Sequence, residues 1–188
     1  MRTFDDEQLL HAIAQGDTGA LRELHRRHAA AAVRFAWRMI GNTADAEEAV
    51  ADAFCEVWQH AGRFQGRSQV RTWLLGIVRH KVLDRLRQAD RAPLADDSSS
   101  PGLGTDFADD PADVVERWQD AQRLQRCFEQ LSVVQREALY LAVVEGLSTH
   151  EIAQLQDVPA GTVATRIHHA RHKLRVCLMA DERQADTK

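Results

Sequence analysis

The stretch LSTHEIAQLQDVPAGTVATRIHHARHKLR, residues 147 to 175, spells a helix, a tight turn and a second helix, and its reading governs the rest of the chain. Ser148 and Glu151 stand at the spacing at which each side chain satisfies a free amide of a first helical turn. Ile152, Ala153 and Leu155 supply the apolar side of that helix. After Asp157 and Val158, Pro159 suits a new first turn, since its missing N–H would have had no partner there. A second helix is predicted from Pro159 to about Leu178. Val163, Ile167, Ala170 and Leu174 fall on one stripe of a helix of 3.6 residues per turn, and this is the buried side.

The opposite face carries Gly161, Thr165, His168, His169 and His172, flanked by Arg166, Arg171, Lys173 and Arg175. From Thr162 to Arg175 there are four Lys/Arg and no acid. A solvated helix usually mixes both signs, so an acid-free, cation-rich face favours a polyanion, and the turn in front of it favours DNA over an ordinary bundle surface.

The chain has 188 residues, 44% of them hydrophobic, enough for two small domains with real cores. No apolar run approaches the roughly 20 residues needed to cross a bilayer, and MRTFDDEQLL lacks the apolar region of a signal peptide, so a cytoplasmic protein without membrane insertion is expected. Cys55, Cys127 and Cys177 are far apart and odd in number, which reads as reduced thiols serving as small core residues rather than a disulfide framework. The net charge of −4 hides strong segregation. Residues 62 to 91 hold eight Lys/Arg and two Asp/Glu, while residues 92 to 120 hold one and eight.

Residues 92 to 113, APLADDSSSPGLGTDFADDPAD, are rich in Pro, Gly, Ser and Asp and poor in apolar side chains, so burial cannot offset their ordering entropy. They read as a flexible acidic linker between a domain over 1 to 91 and another over 114 to 180, with a polar tail over 181 to 188. Apolar spacing predicts helices near 5 to 15, 18 to 40, 43 to 61 and 69 to 89 upstream, and near 112 to 130 and 133 to 144 downstream. Ser132 and Gln135 form a second capping box, and Val114, Trp118, Ala121, Phe128 and Leu131 line a core face. No stretch alternates with period two, so the fold class is all-α, two small helical domains.

Residues 63 to 87, RFQGRSQVRTWLLGIVRHKVLDRLR, place Arg63, Arg67, Arg71, Arg79, Lys81, Arg85 and Arg87 beside Phe64 and Trp73. Cations follow a nucleic-acid backbone while rings stack on bases, so this composition suits unpaired strands. The alternative is that Trp73, Leu74, Ile77 and Val78 are core and the arginines solvate the helix. Just before it, Glu47, Glu48, Asp52 and Glu56 form an acidic set with Phe54 and Trp58 four apart. Acids on one helix without paired Lys/Arg repel each other and DNA alike, and a basic protein surface suits them better.

In order, DAEEAVADAFCEVW, the basic segment, the acidic linker, LSVVQREALYLAVVEGLS and the helix-turn-helix resemble a bacterial RNA polymerase sigma factor of the extracytoplasmic-function group, over about residues 18 to 178. The resemblance implies a non-enzymatic protein without cofactor or metal, with core RNA polymerase, promoter DNA and an anti-sigma protein as partners. It implies that Glu48, Asp52, Phe54 and Trp58 dock on the coiled coil of the β′ subunit, and that the β flap is a further part of core polymerase that the protein meets. It assigns Phe64, Arg67, Ser68, Arg71, Trp73, Arg79, His80 and Lys81 to the minus-10 element, with Phe64 to Ser68 around an extruded base. Gly161, Thr162, Thr165, Arg166, His168, His169, Arg171, His172 and Lys173 are assigned to the minus-35 element in the major groove. The chain departs from the family pattern at Ala51, His80, Ala164, Thr165 and His169. Asp157 replaces a glycine, a residue that tolerates the left-handed backbone a turn needs, and Gln156 replaces an apolar residue, which is expected to loosen that corner.

Two other functions compete. A ligand-sensing helix-turn-helix regulator would bind duplex DNA unaided, but leaves the basic-aromatic segment and acidic linker without a role. A metal protein is suggested by His168 and His172, four apart, yet no H-E-x-x-H, cysteine pair or converging carboxylates accompany them.

Overall fold

The computed structural model describes residues 4–89 and 122–185, with side chains assigned to 180, and divides into two compact units, Met1–Pro101 and Gly102–Lys188. The expected acidic linker, and Val114, Trp118 and Ala121 of the expected core face, lie outside the described residues. All regular elements among the described residues are helical. No helix among them is long and apolar enough to cross a membrane.

The first unit contains α1 (Asp6–Ala14), α2 (Thr18–Ile40), α3 (Thr43–His60), a short 3-10 turn (Ala61–Arg63) and α4 (Val70–Ala89). Each of the first three helices starts where a side chain satisfies its free amides. Asp5 Oδ1 accepts from the Gln8 N–H at 2.8 Å and Gln8 Oε1 accepts in return from the Asp5 N–H at 3.1 Å. Asp17 Oδ1 accepts from Gly19 and Ala20, and Asn42 Oδ1 from Asp45. Helix α2 stops at Gly41, whose φ of 81° is left-handed. The packed pairs are α1 on α2, α2 on α3, α3 on α4 and α2 on α4, around Leu24, Phe35, Ala36, Val57, Val78 and Val82. On α3 the buried residues Ala46, Ala49, Val50, Ala53, Phe54 and Val57 recur at three and four, a single core stripe that leaves the acids outside.

At the start of α1, Asp6 takes both Arg27 (2.9 Å) and His28 (2.7 Å), fastening the first helix to the second. Arg27 also shares Glu23 with Arg26, and hydrogen bonds from these two guanidinium groups hold the Glu23 carboxyl down at about 2.

The second unit contains α5 (122–129), α6 (Val133–Val143), α7 (Thr149–Gln156) and α8 (Ala160–Ala185). Helix α8 packs on α6 and α7, and Leu141, Ile152, Val163 and Ala170 are enclosed between them. Gln135 Oε1 accepts from the Ser132 N–H at 3.4 Å, as a capping box requires. Arg136 Nη2 donates to the carbonyls of Glu129 and Leu131, ending α5; burial lowers its pKa. The last helix continues to Ala185, into the stretch expected to be a polar tail.

The cysteine expectation is corrected. Cys127 of α5 and Cys177 of α8 are joined in a disulfide, their Cα atoms 5.7 Å apart across a sequence separation of 50. Cys55 is a free thiol and exposed rather than core. Spacing along the chain carries no trace of the bridge, because the two helices meet only in the folded unit.

Candidate nucleic-acid interface

The helix-turn-helix is built as its sequence requires. Ser148 Oγ accepts from the Glu151 N–H at 3.2 Å, while Glu151 Oε2 accepts from the Ser148 N–H at 2.8 Å and from its hydroxyl at 2.7 Å. Those two bonds from Ser148 lower the Glu151 pKa. Asp157 terminates α7 with φ 53° and ψ 52°, the only positive φ of a non-glycine residue among the described residues. Its amide and that of Val158 both bond the Ala153 carbonyl, so the left-handed residue closes the turn and sends the chain into α8.

On α8, Val163, Ile167 and Ala170 are buried, which turns Gly161, Thr165, His168, His169, Arg171, His172 and Lys173 outward. Thr162 is half-buried. A Cβ added at Gly161 would meet nothing within 4 Å, so the start of the helix stands clear of its own domain. Thr165 Oγ1 donates back to the Gly161 carbonyl at 2.9 Å, and the His168 and His169 rings meet edge to face at 5.8 Å. Lys173 Nζ reaches Gln135 Oε1 at 3.2 Å, tying α8 to α6.

Arg166 behaves differently from its neighbours. It is half-buried, and its Nη1 donates to Gln156 Oε1 at 2.7 Å. Gln156 was expected to loosen the corner, but it is buried and its amide oxygen receives that guanidinium. Only its Nε2 lacks a partner. The bond joins the end of α7 to the first turns of α8, so Arg166 belongs to the motif's frame.

In the first unit, Phe64 and Trp73 are both half-buried and meet edge to face, ring centroids 5.5 Å apart. Gly66 has φ 66°, which turns the loop between the 3-10 turn and α4. Arg67, Ser68 and Arg71 are exposed, and Arg79 is half-buried. Ser68 Oγ donates to the Gln69 carbonyl at 3.4 Å. His80 is exposed, and its Nδ1 lies 2.8 Å from the Gly76 carbonyl. A carbonyl only accepts, so Nδ1 is the donor in this contact and Nε2 is the ring nitrogen left for other partners.

Two expectations for the acidic helix are corrected. Phe54 is only 6% exposed and lies 4.7 Å from the His25 ring, so it is part of the core stripe of α3 and absent from the surface shared by the acids. Trp58, 37% exposed, is the aromatic that reaches solvent. The acids also do not stand without cations. Arg85 of α4 donates from Nη1 to Glu48 Oε2 at 2.8 Å and from Nη2 to Asp52 Oδ2 at 2.9 Å, with Asp45 at 4.0 Å. Lys81 holds Glu56 at 2.7 Å. Hydrogen bonding to these carboxylates raises the pKa of both cations. A signal for this pairing was present: Glu48, Asp52 and Glu56 recur every four residues on one helix, as do Lys81 and Arg85 on the next. Antiparallel helices bring such rows together.

Among the described residues, no three His, Cys, Asp or Glu side chains are arranged to hold a metal ion. The model for Sigma-70 region 2 matches residues 24–92, and that for Sigma-70 region 4 matches residues 121–174. The chain is similar to the ECF RNA polymerase sigma factor RpoE of Cereibacter sphaeroides, 34% identical over 85% of this chain and 86% of that protein. It is also similar to the ECF RNA polymerase sigma factor SigM of Mycobacterium tuberculosis, 32% identical over 90% of this chain and 82% of that one. Among solved structures, CnrH in complex with the cytosolic domain of CnrY is 26% identical with a TM-score of 0.65, covering 94% of this chain and 98% of that one. The fold is likewise that of RpoE from Bartonella quintana, solved with the anti-sigma factor NepR, at 22% identity and a TM-score of 0.67 over 85% of this chain and 97% of that one.

Proposed function

Because the chain belongs to the extracytoplasmic-function group of sigma-70 factors, proteins that bind core RNA polymerase and direct transcription without being enzymes, we propose how its two units divide that work. The second unit grips the minus-35 element by laying the outer face of α8 in the major groove. Arg171 and Lys173 meet phosphates there, while Gly161, Thr162, Thr165, His168, His169 and His172 lie along base edges and sugar-phosphate walls. Arg166 contributes by holding α8 against α7 through Gln156. The same unit meets the β flap.

The first unit opens the minus-10 element. The loop from Phe64 to Ser68 receives an extruded base, Trp73 stands at the melting edge, and Arg67, Arg71, Arg79 and His80 follow the unpaired strand. Lys81 is spent on Glu56 and contributes less. Glu48 and Asp52, with Trp58 beside them, dock on the β′ coiled coil. An anti-sigma factor holds the protein inactive in the cytoplasm, a reading supported by the 26% identical CnrH, solved with the cytosolic domain of CnrY.

The observation that carries this reading is the turn at Asp157, which delivers a helix whose outer face is free of acids from Thr162 to Arg175. The test is run-off transcription with purified core polymerase on genomic promoter fragments. Defined start sites that depend on this protein are expected; transcripts whose start sites do not change on adding it overturn the proposal.

A further inference from the structure

Arg85 lies where a simple account of the acidic face has no use for it. Its side chain is 19% exposed, whereas those of Glu48 and Asp52 are 66% and 54% exposed. The guanidinium therefore sits beneath the carboxylates, at the seam of α3 and α4, and reaches them from the protein side. It occupies Glu48 Oε2 and Asp52 Oδ2, while the other oxygen of each carboxylate accepts from no donor among the described residues. Three carboxylates within two turns of one helix repel one another; a cation between them removes that repulsion and fixes the rotamers of two long side chains.

We propose that Arg85 is a positioning residue for polymerase docking: its fork holds Glu48 and Asp52 in the arrangement that the basic partner surface meets. This rests on the assignment of Glu48 and Asp52 to the polymerase. A planar fork can hold two carboxylates at once, which an ammonium cannot. Pre-ordered carboxylates cost the partner less side-chain entropy on binding.

The sign of the effect separates this role from plain charge. Arg85→Ala makes the face one unit more negative, so electrostatic attraction alone would tighten binding to a basic surface. Positioning requires the opposite. The experiment measures the Kd of the full chain for purified core polymerase, with Arg85→Ala, Arg85→Lys and Asp52→Arg side by side and thermal unfolding checked for each. The expected result is binding about 5- to 10-fold weaker for Arg85→Ala, partial recovery for Arg85→Lys, and a larger loss for Asp52→Arg. Unchanged or tighter binding by Arg85→Ala, with Asp52→Arg still defective, overturns the positioning role alone. Normal binding by Asp52→Arg overturns the docking assignment itself. If Arg85→Ala unfolds early, Arg85→Gln, which keeps part of the stem and a planar polar end but is shorter and uncharged, replaces it, and the same directions apply.

Discussion

The cations of α4 and those of α8 look alike in the sequence and are held in opposite ways. Arg85 and Lys81 are turned against acids of the neighbouring helix, so much of the positive charge at this end of the basic segment is already spent within the unit. Arg171 and Arg175 meet no acid among the described residues, and what positions them is backbone: a capped α7, a left-handed Asp157 and the buried stripe of α8. A run of positive charge is therefore a poor measure of a polyanion surface when a matching acidic row lies on the next helix. A scaffold that exposes cations without partners is the stronger sign.

The contrast breaks most sharply at Arg171. Arg171→Gln should weaken promoter binding by the holoenzyme about tenfold at moderate salt and lower the slope of log K against log salt by about one. Titration of labelled promoter DNA at several salt concentrations reads both. An unchanged slope would mean that Arg171 meets no phosphate, and the outer face of α8 would lose its assignment.

What the sequence made legible follows the range of the interactions. The capping boxes at Ser148–Glu151 and Ser132–Gln135, the turn at Asp157 and the buried stripe of α8 are fixed by residues within a few positions of each other, and they are found as expected except that Leu174, at the end of the stripe, is half-buried. The helix bounds of the first unit differ from expectation by a residue or so for the same reason. What escaped depends on which helix lies against which: the Cys127–Cys177 bridge, the Arg85 fork and the bond from Arg166 to Gln156. Phe54 is an instructive case, since its place on the stripe from Ala46 to Val57 was readable, yet its spacing from Trp58 suggested a shared surface. In the site, residue types were legible and their availability was not.

The scaffold under α8 can be loosened at its first turn. Ser148→Ala removes a cap and should cost about 1 kcal/mol, read as a lower Tm of the second unit. Glu151→Gln tests the charged half of the same box and should cost about 0.5 kcal/mol near neutral pH. Because the folded Glu151 pKa is depressed below 4.5, its contribution is complete above that value and is lost as pH falls through the folded pKa. The gap between wild type and Glu151→Gln should therefore be constant at neutral pH and close on acidification below about 4.5. A gap that widened instead would assign the opposite sign to the shift.

The smallest effect is expected at Lys81, and its smallness is the point. A free lysine on the minus-10 track would behave as Arg171 does, lowering both affinity and salt slope when removed. Lys81 instead holds Glu56 at 2.7 Å on a half-exposed surface, where an ion pair contributes between zero and about 1 kcal/mol. Lys81→Ala should change open-complex formation less than twofold and leave its salt slope as it was, while freeing Glu56 to repel the strand slightly. The double variant Lys81→Ala with Glu56→Ala should then return open-complex formation to the wild-type level, because the pair is removed as a neutral unit. Should the single variant lose a full unit of salt slope, Lys81 would exchange Glu56 for a phosphate when DNA arrives, and the division between spent and available cations would have to be drawn farther along α4.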